Sequence, residues 1–143
     1  MSITIENATM WDIPMMLRWG RNTPDLWGDD SGEWYEEKDL VDWIQNPRDD
    51  FILVARDEKK LVGMCFVYQM RGWAYCDVLY VDLPYRGKGI GTRFLIEVEK
   101  RIKDKNISFG FFVKQDNDSA QSFYIKRAFQ YGYKLFWMFK KLK

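Results

Sequence analysis

The chain has no histidine, only two cysteines and only four prolines among its 143 residues. Without imidazole, proton transfer at an active site falls to carboxyl, amine or phenol groups. Cys65 and Cys76 sit in apolar, strand-like runs with no metal-binding spacing, so they read as reduced core thiols and no metal is expected. No run approaches the roughly 18 consecutive apolar residues of a membrane span. The opening Met1-Ser2-Ile3-Thr4-Ile5-Glu6 alternates as a strand does and lacks the charged-then-apolar order of a secretion signal, so a cytoplasmic protein without a membrane partner is the expectation. Repeats, linkers and low-complexity segments are also missing. What is present is 47% hydrophobic residues in a length that suits one folded domain, residues 1–143.

Residues 80–92 concentrate the chemistry. The apolar run 78–81 reads as a strand, Pro84 ends it, and an amphipathic helix pattern follows from Thr92. Gly87, Gly89 and Gly91 therefore stand at a helix N-terminus, where backbone N–H groups without intrahelical partners converge on an anion. A dinucleotide fingerprint would need its third glycine where Thr92 stands. A Walker A loop would need Lys-Ser or Lys-Thr after Gly91, and Thr92-Arg93 follows instead. The remaining pattern, Arg86-x-x-Gly89-x-Gly91 within Tyr85-Arg86-Gly87-Lys88-Gly89-Ile90-Gly91, closely resembles the acyl-CoA pyrophosphate loop of the GNAT superfamily of N-acyltransferases.

A second stretch, Asn117-Asp118-Ser119-Ala120-Gln121-Ser122-Phe123-Tyr124, resembles that family's N-x-x-A-x-x-F-Y signature. Asn117 or Asp118 suits an N-cap, and Tyr124 then lies two turns in, on the face of Ala120 and Gln121. Ala128-Phe129 stands where the family usually has Gly-Phe, so a different or later helix end is expected, and Pro84 lies one place nearer Tyr85 than in the commonest wording. The resemblance runs from about Phe51 to the C-terminus; the first fifty residues match in element order only.

The resemblance implies an α/β, GNAT-like fold, a mixed and mainly antiparallel central sheet flanked by helices. It implies acetyl-CoA as cosubstrate, bound by Arg86, Gly87, Lys88, Gly89, Ile90, Gly91, Thr92 and Asn117, with the backbone of Leu79, Tyr80 and Val81 pairing with pantetheine as an added strand. It also implies that Tyr124 is the acid that protonates the departing thiolate, a step a phenol with a pKa near 10 can perform. A proton must leave the attacking amine, either to a base or through a water chain. Asp77 is the candidate base, read as alternating in register with Tyr75, Leu79 and Val81 and resembling the position of a family glutamate; Asp82 reads as a turn residue.

Period and punctuation order the rest. A strand is expected over 2–8, helices over 10–18 and 36–45, strands over 51–56, 61–70 and 73–81, a helix over 91–103, a strand over 107–113, the Asn117 helix, and a strand pair within 130–142. The net charge of +1 hides a lopsided distribution: the stretch 25–50 holds ten acids against Lys38 and Arg48, whereas the chain from Arg86 onward is basic. A basic half suits a phosphorylated cofactor, and an acidic segment suits a cationic acceptor. Trp27 and Trp34 lie in the same segment with Asp29 and Asp30, and rings beside carboxylates hold ammonium groups, so these four are the candidate acceptor residues.

The reading is therefore acetyl transfer to a primary amine of a small molecule or peptide, by direct attack. Its alternative is a non-catalytic acyl-CoA sensor built on the same loop. Near-neutral charge and the lack of a reader motif argue against nucleic acid. The aromatic run Leu135-Phe136-Trp137-Met138-Phe139 offers an edge for homodimer pairing.

Overall fold

In the computed structural model, which describes residues 1–27 and 34–143, a single five-stranded sheet organises the chain. Its strands, β1 (Ile3–Asn7), β2 (Phe51–Asp57), β3 (Lys60–Gln69), β4 (Trp73–Val81) and β5 (Ser108–Gly110), lie side by side in sequence order. The first three pairings are antiparallel and β4–β5 is parallel, giving the mixed, mainly antiparallel sheet that the sequence implies. The central strands β2 and β3 are buried nearly throughout, so each reads as an apolar run, whereas β1 alternates as a half-exposed edge does.

Helices cover both faces. On one, α1 (Ile13–Arg21) and α2 (Glu37–Gln45) bury Ile13, Met16, Leu17, Leu40 and Trp43 against Ile52, Val54, Met64, Phe66 and Val78. On the other, α3 (Ile90–Ile102) sets Ile90, Phe94, Val98 and Ile102, every fourth residue, against Leu53, Ala55, Cys65 and Val67. Each such side chain contributes roughly 1.5–3 kcal/mol by leaving water. The fourth helix, α4 (Asp118–Ile125), follows β5.

The expected helix over 10–18 is divided. Met10–Asp12 forms a 3-10 turn, closed by Thr9 and Asp12 as a capping box, and α1 then runs on to Arg21 with Pro14 at its tolerant start. Asp12 is buried, and Arg56 of β2 meets both of its carboxylate oxygens at 2.7 Å while also contacting Glu6. This pair ties the entry of α1 to the sheet; removing one partner leaves a buried charge, at a cost of about 3–5 kcal/mol.

Two expectations are corrected. The strand over 107–113 contracts to Ser108–Gly110, and the strand pair within 130–142 does not form: residues 130–143 are neither helix nor strand. An edge strand with one parallel neighbour offers few ladder bonds, so its length follows from the pairing with β4 and not from its own residues.

Candidate active site

β4 and β5 pair only from Trp73↔Ser108 to Tyr75↔Gly110, and β4 then runs six residues further to Val81 without a neighbour on that side. This divergence leaves an open strand edge between two layers of aromatic side chains. Successive residues beyond β5 line it from both faces. The ring of Phe111 stacks on Tyr124 at 4.1 Å, and that of Phe112 lies 5.1 Å from Tyr75.

At the Val81 end of that edge, Asp82, Leu83, Pro84 and Tyr85 turn the chain toward the start of α3, with Asp82 capping the turn through Leu83 N–H. Gly87 and Gly89 take φ of +73° and +84°, the left-handed region that glycine enters without strain, and Gly89 is the N-cap of α3. The N–H groups of Gly89, Ile90, Gly91 and Thr92 are thus the four at this helix start that lack intrahelical acceptors. Ile90 contributes only backbone, because its side chain is buried in the α3 core. Gly91 has a different reason to be small: a Cβ there would lie 3.0 Å from the Phe123 ring, so this glycine lets α4 approach α3. Arg127 holds the same junction, donating to Thr92 Oγ1 at 2.6 Å and to the Phe123 carbonyl at 2.7 Å while lying 3.6 Å over the Phe123 ring.

The basic side chains of the loop are partly engaged. Arg86 Nε donates to the Val81 carbonyl at 2.8 Å, with its guanidinium over Tyr80, and Lys88 lies over the Tyr85 ring. The Val81 carbonyl therefore already has a donor. Leu79 packs toward α3 and Tyr80 toward α1, where its ring lies 5.0 Å from Trp19.

The register of Asp77 corrects the sequence expectation. Phe66 pairs with Val78 and Val67 with Cys76, so Asp77 is the extra residue of a β-bulge in β4. Alternation breaks there. Leu79 and Val81 face α3, whereas Asp77 turns to the α1–α2 face beside Tyr75. Its Oδ2 accepts from Tyr35 Oη at 2.5 Å, its Oδ1 from Tyr75 Oη at 3.1 Å, and the Tyr35 and Tyr68 hydroxyls lie 2.6 Å apart. Burial raises the Asp77 pKa, and the two tyrosine hydrogen bonds pull it down. All three phenols are raised, first by burial; for Tyr35 and Tyr75 the Asp77 charge is the next cause.

Tyr124 occupies the opposite face of the opening, packed among Phe111, Phe123 and Phe129. Burial, then the neighbouring Cys76 and Cys65 thiols, raises its pKa, so it stays a protonated donor at neutral pH. Its hydroxyl bonds to no other described residue. Asn117 caps α4, its Oδ1 accepting from Ala120 N–H at 3.1 Å, which leaves its amide NH2 uncommitted among the described residues. The helix does not end differently for want of glycine. Ala128 itself takes φ of +68°, with Phe129 N–H bonded to the Tyr124 carbonyl and Ala128 N–H to that of Ile125, a Schellman turn made with alanine.

On the acceptor side, Trp27 Nε1 donates to the Gly20 carbonyl at 2.8 Å, and Trp34 lies against Gly20, Tyr35 and Phe66, so both rings help pack the α1 face. The Trp34 indole N–H is buried without a partner among the described residues. Asp29 and Asp30 lie outside the described residues. Asp25 pairs with Lys114 at 3.0 Å, which brings the acidic connection beside the chain leaving β5.

Sequence reasoning missed Tyr35 and Tyr68 as neighbours of Asp77. The bulge that gathers them leaves no sequence signal, although Tyr75 two residues before Asp77 hinted at a shared face.

Residues 18–129 match the sequence pattern of the Acetyltransferase (GNAT) family. The uncharacterized protein YdhI of Bacillus subtilis (strain 168) is 29% identical over 84 residues, 58% of this chain and 51% of that one, so the match spans half the length of this curated relative. An aminoglycoside acetyltransferase from an uncultured soil metagenomic sample, solved in complex with trehalose, superimposes with a TM-score of 0.77 at 19% identity, covering 99% of this chain and 97% of that one. That likeness is one of fold alone. The PaiA N-acetyltransferase of Thermoplasma acidophilum, solved in complex with coenzyme A, superimposes with a TM-score of 0.68 at 26% identity over 89% of each chain.

Proposed function

The chain belongs to the Acetyltransferase (GNAT) family, and on that premise we propose that it moves an acetyl group from acetyl-CoA to a cationic primary amine by direct attack, with Asp77 and Tyr124 as base and acid. The observation that carries this reading is the divergence of β4 from β5, with a carboxylate on one face and an unbonded phenol on the other. The open N–H groups of Gly89, Ile90, Gly91 and Thr92 would take the pyrophosphate, helped by Arg86 and Lys88 once their side chains swing off Tyr80 and Tyr85. The free edge of β4 at Leu79, Tyr80 and Val81 would run beside pantetheine, and the Asn117 amide would reach it from the start of α4.

In the reaction the amine gives a proton to Asp77, and its nitrogen then attacks the thioester carbonyl carbon. The C–N bond forms, the C–S bond breaks, and the thiolate takes the Tyr124 proton. The second proton shed by the nitrogen returns the Tyr124 phenolate to phenol through water, and Asp77 releases the first to solvent. Burial acts differently on the two groups: it raises the Asp77 pKa toward that of a working base, and it keeps Tyr124 protonated while making it a weaker acid toward the thiolate. No acyl-enzyme is needed.

The cationic preference is supported by the ten acids over 25–50 and by the rings of Trp27 and Trp34 beside them. Two buried thiols suit a reducing compartment, so we place the enzyme in the cytoplasm; among the described residues no helix is long and apolar enough to cross a membrane. The test is a thiol-release assay with acetyl-CoA and a panel of polyamines, amino sugars, peptides and neutral amines. Turnover with cationic amines, with kcat/KM falling as salt rises and a higher KM for Asp29→Asn with Asp30→Asn, is the expected result. Turnover confined to neutral amines, or a double variant that keeps the wild-type KM and salt slope, overturns the cationic preference. No thiol release across the panel, with Asp77→Asn indistinguishable from the wild-type chain, overturns the reaction.

A further inference from the structure

We propose that the acceptor is a primary amine joined by a short chain to an aromatic ring, and that this ring enters a notch at Gly110 walled by Tyr75 and Phe112. The assignment of a substrate class rests on the acetyl-transfer reading above.

The first observation is Gly110. It pairs with Tyr75 as the last residue of β5, and its backbone stays outside the left-handed region that favours glycine. A Cβ built there would meet nothing within 4 Å, whereas at Gly63 and Gly91 it would press on Phe94 and Phe123 at 2.9 and 3.0 Å. Neither the course of the chain nor its packing therefore calls for glycine at 110. A side chain missing from a strand, with open space in its place, marks the close approach of something outside the chain.

The second observation is the wall. Phe109 and Phe111 both pack on Phe129, so Gly110 and Phe112 belong to the opposite face, that of Tyr75 and Asp77. Rings cross this face in a row. Trp43 lies 4.4 Å from Tyr68, Tyr68 stacks on its register partner Tyr75 at 6.2 Å and 9°, and Phe112 stands 5.1 Å beyond. One end of the row is closed, with Trp43 8% exposed; the other is open, with Phe112 68% exposed. A further ring fits at the open end, where it covers apolar surface otherwise left in water.

The third observation is chemical. The Tyr75 hydroxyl donates to Asp77 at 3.1 Å. Tyr35 gives its one proton to Asp77, so the Tyr68 hydroxyl, 2.6 Å from that of Tyr35, gives its own to Tyr35. The row thus presents ring faces with its hydroxyl protons already spent. A sugar or other polyol would trade its water for poor partners there, at a cost in affinity. An ammonium group at Asp77 with its ring beyond Tyr75 satisfies carboxylate and wall together, and the Tyr75 ring lies beside the charge.

A thiol-release assay with acetyl-CoA compares phenethylamine, n-butylamine and kanamycin, the first two alike in charge. The wild-type chain should favour phenethylamine over both by about tenfold or more in kcat/KM. Gly110→Val fills the notch and Phe112→Ala removes its outer wall, so each should reduce the phenethylamine-to-butylamine ratio about tenfold, whereas Phe112→Tyr should keep it. All three variants should melt within about 2 °C of the wild-type chain, because neither position is packed in the core. A wild-type chain indifferent between phenethylamine and butylamine, or faster with kanamycin, overturns the proposal, as does a ratio unchanged in Gly110→Val and Phe112→Ala. If no amine is turned over, the reaction itself is at fault, and calorimetric titration of phenethylamine with and without coenzyme A decides the notch separately. Binding that Gly110→Val weakens about tenfold or more supports it; no binding, or binding equal in the variant, overturns it.

Discussion

Tyr35 donates a 2.5 Å hydrogen bond to Asp77, and so ties the segment ahead of α2 to the bulge in β4. The bond opposes burial. Burial raises the Asp77 pKa, and the Tyr35 hydroxyl, followed by that of Tyr75, lowers it. Tyr35→Phe should therefore move the acidic limb of the kcat/KM profile to higher pH, by about one pH unit or more, because a hydrogen bond to a charged group is worth roughly 1.5–3 kcal/mol. A profile superimposable on that of the wild-type chain would reduce Tyr35 to packing.

The same carboxyl carries a stability consequence. Its folded pKa lies above its unfolded value, so as pH rises the unfolded chain ionises first and ionisation of Asp77 works against folding. Asp77→Asn should therefore lose activity by roughly 10²- to 10⁴-fold while its stability relative to wild type improves steadily from acidic to neutral pH. Urea denaturation at a series of pH values reads this directly. A stability difference that does not change with pH would mean that Asp77 is not perturbed by burial.

Two glycines that look alike in sequence should fail in different ways. Gly89→Ala forces a side chain into φ of +84°, a strain of about 1–2 kcal/mol, at the N–H groups proposed to meet the pyrophosphate. It should weaken acetyl-CoA binding in calorimetry more than it lowers kcat at saturation. Gly91→Val meets the Phe123 ring instead, so it should displace α4 and lower kcat and thermal stability together. Equal effects of both on cofactor affinity alone would return Gly91 to the phosphate loop.

These contrasts mark what the sequence could reveal. Helices α2 and α3 and strands β2 to β4 were legible because period, turn residues and caps agreed along each element, and the glycine loop ahead of α3 was legible as a helix start, although Gly89 as its cap was not singled out. The bulge at Asp77 was not. One extra residue changes which face a side chain takes without changing composition, so Asp77 read as in register with Leu79 and Val81 when Tyr75 shares its face. The strand pair expected within 130–142 failed for another reason: aromatic, β-prone residues read as strand there, but composition alone supplies no neighbouring edge to pair with.

Ala128 supplies a test of stability alone. It holds φ of +68° at the end of α4, in the position where a Schellman turn favours glycine. Ala128→Gly relieves the side-chain strain, offset in part by the greater freedom glycine has in the unfolded chain. A gain of about 1 kcal/mol, or roughly 2–5 °C in Tm for a chain of this size, is expected in calorimetry with kcat unchanged. A lower Tm would show that the native turn does not strain alanine.

Tyr124 decides whether the two faces of the opening act together. Its ring is fixed by Phe111 at 4.1 Å, Phe123 at 5.2 Å and Phe129 at 5.6 Å, contacts that phenylalanine would keep. Its hydroxyl holds no described partner, so Tyr124→Phe removes a proton donor and little packing. If that proton goes to the departing thiolate, kcat should fall roughly 10- to 1000-fold, with acetyl-CoA affinity nearly unchanged. The loss should shrink when the leaving thiol is made more acidic, since a better leaving group needs less help from an acid. Rapid-mixing measurement of thiol release with acetyl-CoA and with a thioester of a more acidic thiol separates the cases. A fall of the same size with both thioesters would assign Tyr124 to positioning, and a kcat within about twofold of wild type would leave the thiolate to be protonated by solvent.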